Sequence, residues 1–196
     1  MSTNPSKTED KILALWLIGG LALCVLFIVT LFNTLIATKN GVDNAAAGVD
    51  AILKKRYDLI PNLIAAVEAY MRHERSLLEG LTQLRTQALA TTGEERRKLD
   101  KEFTKQLGGL FVAAENYPDL KANQNFLQLQ AALNEVEEQI SAARRAFNAA
   151  VTDYNNSLEM FPSSVIARRM KFQRKALFEI TPLERKSIEV AQLLDR

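Results

Sequence analysis

Cysteine and histidine are nearly missing from this chain: its 196 residues hold one of each, Cys24 and His73. A lone cysteine excludes an intramolecular disulfide and leaves the redox compartment open. A lone histidine excludes the paired Glu-x-x-His turns of a di-iron bundle, and the residue three before His73 is Tyr70. Nucleophilic catalysis has little to work with, because no serine or threonine stands beside a base in a recognisable motif and Cys24 lies in an apolar run. There is no glycine-rich phosphate loop, no strand pattern and no low-complexity tract. Glycine and proline are scarce, at 8 and 5 residues. Neither sign of charge dominates: 25 Lys and Arg stand against 23 Asp and Glu. That balance argues against nucleic acid as a partner and against an acidic tail.

What remains is rich in Ala, Leu, Gln, Glu, Lys and Arg, a composition that favours helix. The length suits one membrane segment plus one compact domain. Ile12 to Thr38 carries no charge, and its core, LALWLIGGLALCVLFIVTLF, reaches the roughly 20 apolar residues a bilayer-spanning helix needs. A cleaved signal peptide has a shorter apolar region, about 7–15 residues, with small residues at its end. LALC is not a lipoprotein site, because Leu23 stands where a small residue belongs and the run stays apolar after Cys24. An uncleaved anchor over residues 12–38, behind a polar tail of residues 1–11, is therefore expected. Flanking positive charge is nearly equal on the two sides and does not orient it.

Behind the anchor the apolar positions Val42, Ala46, Val49, Leu53, Ile60, Leu63, Val67, Tyr70, Leu77, Leu81, Leu84 and Ala88 recur at steps of three and four, with Arg56 and Glu74 filling two places. A sustained 3.5-residue repeat means a helix packed lengthwise on others. The phase passes Pro61 without a slip, which predicts one rod from the anchor to Ala90, bent at Pro61, with Asp58 capping the amides freed there. Glu74 reads as a polar position fixing register, and His73 as a surface residue. Thr91-Thr92-Gly93 predicts a turn. A second helix follows with Leu99, Phe103, Leu107, Leu110, Ala114 and Tyr117, stopped by Pro118. A third runs from Phe126 to Leu158 and closes at Phe161-Pro162. Ser163 or Ser164 is expected to cap a helix over VIARRMKFQRKALFE, and Thr181, Pro182 and Glu184 form a capping box for a last amphipathic helix over 181–196.

The blocks VDAILKKRYDLIPNLIAAVEAYMRHE and ENYPDLKANQNFLQLQAALNEVEEQISAARRAFNAAVTDYNNSLEMFP, with the anchor before them, resemble the LemA family over roughly residues 40 to 180. The resemblance implies an all-α protein: an N-terminal transmembrane helix, then an antiparallel four-helix-type bundle over 40–180. It implies no reaction. Its members are often encoded near TPM-domain proteins or membrane metalloproteases, which points to envelope partners, and many are lipoproteins, which tilts the bundle to the extracytoplasmic side of the inner membrane. Two departures stand out. Lys171 occupies a place where glycine before the phenylalanine is usual, and TPLERKSIEVAQLLDR belongs to none of the shared blocks.

Two groups of residues are candidates for function. Folding the chain back at 91–93 sets YPDLKANQNF level with RYDLIPNL, since both helices rise equally per residue. Arg56, Asp58, Pro61, Tyr117, Asp119 and Asn123 are then expected to form one junction, with Arg56 paired to Asp119 or Asn123; it is read as structural, with a partner site as the rival. Arg168, Arg169, Lys171, Arg174 and Lys175 put five positive charges into eight residues. They are read as a solvated helix face, with contact to anionic lipid as the rival. No catalytic, cofactor-binding or metal-binding residue is expected. The function expected is a non-enzymatic, membrane-anchored scaffold for self-assembly or partner binding. The alternatives are an adaptor of a membrane protease or TPM-domain neighbour and, behind it, a carboxylate-dependent enzyme.

Overall fold

A computed structural model describes residues 5–178; the capping box at Thr181 and the helix expected over 181–196 lie outside the described residues. Among the described residues six α-helices follow one another: α1 (Pro5–Val67), α2 (Arg75–Ala90), α3 (Gly93–Ala114), α4 (Pro118–Lys121), α5 (Gln124–Glu159) and α6 (Ser163–Arg169), with one 3₁₀ turn over Arg72–Glu74. No strand occurs among the described residues. The chain divides into two compact units, Ala46–Arg145 and the residues on either side of it. Both α1 and α5 contribute to each.

In the Ala46–Arg145 unit, α1, α2, α3 and α5 form a four-helix arrangement. The stripe of α1 is its core, with Val49, Leu53, Ile60, Leu63 and Val67 buried. Phe103, Leu107, Leu110 and Ala114 of α3 and Phe126, Leu133, Val136 and Ile140 of α5 are buried at their expected positions. The expected rod to Ala90 is corrected. α1 ends at Val67, and the chain turns through Glu68–Glu74, where the amides of Tyr70 and Met71 both donate to the Val67 carbonyl at 3.0 and 2.9 Å. Neither glycine nor proline stands there. Burial decides it: Met71 is fully buried while Tyr70, the residue the heptad phase put in the core, is exposed. Glu74 accordingly belongs to a turn and not to a helix stripe, and His73 is exposed beside it. The second turn falls at Thr91–Thr92, with Gly93 at φ +64°, a conformation that costs a β-carbon dearly.

The proline inside α1 keeps the helix running but removes the donor that would meet the Tyr57 carbonyl four residues back. Arg85 of α2 replaces it: its Nε donates to that carbonyl at 2.9 Å. Asp58 does not cap the break as expected. It is exposed and pairs with Lys54 at 2.6 Å.

The other unit contains the first part of α1, whose stretch from Leu15 on is long and apolar enough to cross a membrane. Leu15, Trp16, Leu17, Ile18 and Leu21 are all exposed. Thr30, Thr34 and Thr38 each donate the hydroxyl to the carbonyl four residues earlier, so their polar groups are satisfied within the helix. From the end of α5, Phe147, Val151, Tyr154 and Leu158 are buried. The helix expected over 165–179 is only α6, which stops at Arg169. Neither serine caps it by side chain: Ser163 Oγ donates instead to the carbonyls of Ser157 and Met160 at 2.7 and 2.9 Å. Residues 172–178 are not helical.

Candidate functional site

A cluster of charge lies inside the Ala46–Arg145 unit. Arg56 is fully buried on α1, and Asp100 on α3 is 2% exposed. Arg56 Nη2 donates to Asp100 Oδ1, and its Nη1 donates to Glu137 Oε2 at 2.8 Å and to Thr104 Oγ1 at 3.1 Å. The second oxygen of Asp100 accepts from Arg144 Nη2 at 2.5 Å, and the Tyr57 hydroxyl donates to Oδ1 at 3.2 Å. Two cations and two anions from three helices thus offset one another. The guanidinium lies 5.0 Å from the Phe103 ring centroid, and Phe103 meets the Tyr57 ring edge-on at 5.0 Å. Aromatic faces supply electron density where carboxylates do not reach.

Burial lowers the Arg56 pKa from the usual guanidinium range, and Glu137 opposes that fall. Burial likewise raises the Tyr57 pKa above the usual phenol value, with Arg56 pulling the other way. One donor, Arg56 Nε, is buried without a partner. A second ion pair reinforces the arrangement: Arg96 of α3 binds Asp50 of α1 at 3.1 Å, while its Nε donates to the Ala88 carbonyl near the end of α2 at 3.0 Å. Such a carbonyl has no partner within its own helix.

The expected pairing of Arg56 with Asp119 or Asn123 is therefore corrected to Asp100 and Glu137. The extra reversal at Glu68–Glu74 explains the slip, because α3 then runs alongside α1 in the same direction and brings residues 100–104 level with 56. Asp58, Pro61 and Asp119 are exposed, and Tyr117 is half-buried ahead of Pro118. Asn123 begins α5: its Oδ1 accepts from the amides of Asn125 and Phe126 at 2.9 and 3.1 Å, a cap at the helix N-terminus. Its Nδ2 donates to Tyr70 Oη at 3.2 Å. So the 117–123 connection meets the turn that follows α1, while Arg56 stands about three turns away along the helix. Sequence reasoning missed Asp100, Thr104, Glu137 and Arg144. A usable signal was present, since Asp100 precedes Phe103 by three and Leu107 by seven on the buried face.

The five candidate basic residues, all in the other unit, fall into two sets. Lys175 pairs with Asp43 and lies 5.9 Å from the Tyr154 ring centroid, and Arg174 pairs with Glu159 at 2.8 Å. Arg168, Arg169 and Lys171 are exposed, on and just after α6. They do not share one helix face as expected, because the chain leaves the helix at Met170. Lys171 has φ +57°; its amide donates to the Arg168 carbonyl at 3.2 Å and that of Phe172 to the Ala167 carbonyl at 3.0 Å. This left-handed helix ending ordinarily takes glycine. Beyond it, two asparagines one heptad apart grip the chain by its backbone. Asn155 exchanges two hydrogen bonds with Lys175 at 3.0 Å each, and Asn148 exchanges two with Phe178 at 2.7 and 3.2 Å.

Long helices packed together, a membrane-length apolar helix at the start of α1 and buried salt-bridged links between helices define the class: a helical-bundle protein with one candidate membrane helix among the described residues. The LemA family matches residues 45–191, three quarters of the chain, and the protein belongs to that family. The match takes in most of the C-terminal segment that the shared blocks left out. The chain is also 24% identical over 163 residues to Protein LemA of Metamycoplasma hominis, covering 82% of this chain and 74% of that one. It is 23% identical over 188 residues to Magnetosome protein MamQ 2 of Paramagnetospirillum magneticum, covering 81% and 69%.

Proposed function

We propose that this protein is a non-enzymatic, single-pass scaffold of the bacterial inner membrane that holds a rigid helical bundle at the membrane for self-assembly or partner binding. The observation that carries this reading is the use made of the buried charge. Arg56 and Asp100 are closed to solvent and spend their hydrogen bonds on other helices, which supports a role for this pair in fixing helix register. The long apolar helix at the start of α1 supports the membrane part of this reading. The test uses full-length protein in mild detergent, with a photo-crosslinking residue at Gln83 on the exposed side of α2. Crosslinked homo-oligomers that match the mass by light scattering support self-assembly. A single distinct membrane protein captured in cells supports the second reading, an adaptor. A monomer that crosslinks to nothing sinks both.

A further inference from the structure

The unit that contains the anchor exposes more apolar surface than its core requires. At the end of α5 and along α6, Met160 is 64% exposed, Phe161 83%, Val165 61% and Met170 55%. Scattered surface apolar residues need no explanation, but these occur together within eleven residues, and Arg168, Arg169 and Lys171 flank the last of them. Their surroundings distinguish them from a free patch. Ile28, Val29 and Phe32 of α1 line one groove together with Val165, Ile166, Arg169 and Met170. Those three α1 residues belong to the uncharged run, 7 to 11 residues before its first flanking charge, Lys39. At 1.5 Å per residue that is about 10–16 Å along the helix. An anchor of about 20 residues that starts near Ile12 or Leu15 ends at residues 31 to 34. Ile28–Phe32 is thus the last part of the span, and whatever touches it is at the lipid boundary.

We propose that Met160–Lys171 is a second membrane contact: a short amphipathic wedge seated in the interface of the bilayer crossed by the protein's own anchor. Met160, Phe161, Val165 and Met170 enter the acyl boundary, and Arg168, Arg169 and Lys171 reach anionic phospholipid headgroups. The side chains suit that depth, since arginine and lysine lay their aliphatic stems along apolar surface and keep the charge at the headgroups. The charge sorting agrees. Arg174 and Lys175 are engaged by Glu159 and Asp43, whereas among the described residues Arg168, Arg169 and Lys171 have no carboxylate partner and remain for phosphate. Each cation near an anionic surface adds attraction that salt screens.

This inference rests on the anchor crossing the membrane, and the test separates the two. Full-length protein carrying Trp16→Phe and Phe161→Trp, so that position 161 holds the sole tryptophan, is reconstituted into liposomes of phosphatidylcholine with or without phosphatidylglycerol. Retention after carbonate washing reports the anchor alone. Among retained protein, the expected result is quenching of the tryptophan by lipids brominated high on the acyl chain, and about threefold less quenching by aqueous acrylamide than in detergent-free urea. Arg168→Gln, Arg169→Gln and Lys171→Gln together should reduce the bromolipid quenching at least about twofold in anionic vesicles, with a smaller change in neutral ones. A tryptophan open to acrylamide and untouched by bromolipid overturns the proposal. So does protection from both quenchers, which would mean that a second copy covers the patch. Bromolipid quenching unaffected by the triple substitution overturns the headgroup contact.

Discussion

The Ala46–Arg145 unit encloses full charges, with Arg56 and Asp100 almost out of reach of water, whereas the flanking unit ties its interior with neutral amides and leaves Phe161 in the open. The difference lies in what each must specify. Helices packed lengthwise can slide by a turn with little loss of apolar burial. A buried arginine that must find carboxylates on two other helices makes each slip costly, even if an apolar substitute would pack as well. The segment 172–178 is not helical and has no helix-internal bonds to lose. Asn148 and Asn155 satisfy its backbone directly, and Arg174, Lys175 and Phe178 add side-chain contacts to Glu159, Asp43 and Phe147.

The comparison breaks most visibly at its charged centre. Arg56→Ala or Asp100→Ala should each cost about 3–5 kcal/mol, because the remaining charge is left buried and incompletely paired. The double substitution should cost less than the sum. Thermal melts of full-length protein in detergent, followed by circular dichroism, check this, and additive losses would show that the pair does not couple. Next in size, Asn155→Ala strands the amide and carbonyl of Lys175, at about 1–3 kcal/mol. The loss should be local: trypsin cleavage at Arg174 and Lys175 should accelerate while cleavage within Ala46–Arg145 stays unchanged.

The proline bridge sharpens the picture of the charged unit. Arg85→Ala should cost about 1–2 kcal/mol while Pro61 leaves the Tyr57 carbonyl without a backbone donor, and close to nothing when Pro61→Ala restores that donor. Equal costs in both backgrounds would mean that Arg85 acts elsewhere. In the flanking unit, Lys171→Gly should raise stability by about 1 kcal/mol, since glycine takes φ +57° without a β-carbon penalty. The smallest effect appears only in alkali. The folded pKa of Tyr57 lies above its unfolded value, so its contribution is complete below about pH 10 and declines as pH rises through the folded pKa, because the unfolded chain releases the proton first. Tyr57→Phe should remove that part of the alkaline loss in denaturation curves measured between neutral pH and pH 11.

Arg56 was legible as an oddity on an apolar stripe, and the stripes of α3 and α5 were legible nearly residue by residue. Its partners were not. Folding back only at 91–93 brought the segment 117–126 to the segment 56–63, with Asp119 or Asn123 as the partner of Arg56, because nothing between Val67 and Arg75 looks like a turn: the segment has no glycine, proline or capping serine. The basic run was legible as a run, but its division into paired and unpaired residues depends on where α6 stops.

By itself, the sequence determined the helical class, the membrane-length apolar run, the turn at Thr91–Thr92 and the family, since each follows from local propensity, hydrophobic period or shared blocks. Only the tertiary structure decided the reversal at Glu68–Glu74, the carboxylates that Arg56 meets, the donor that replaces the amide lost at Pro61, and the exposure of Phe161. The reason is the range of the forces. Propensity and periodicity act over one or two turns, where each residue carries its own preference. The identity of a buried charge's partner is set by which helices share its level, and that depends on the loop lengths and on the burial of residues as remote as Met71.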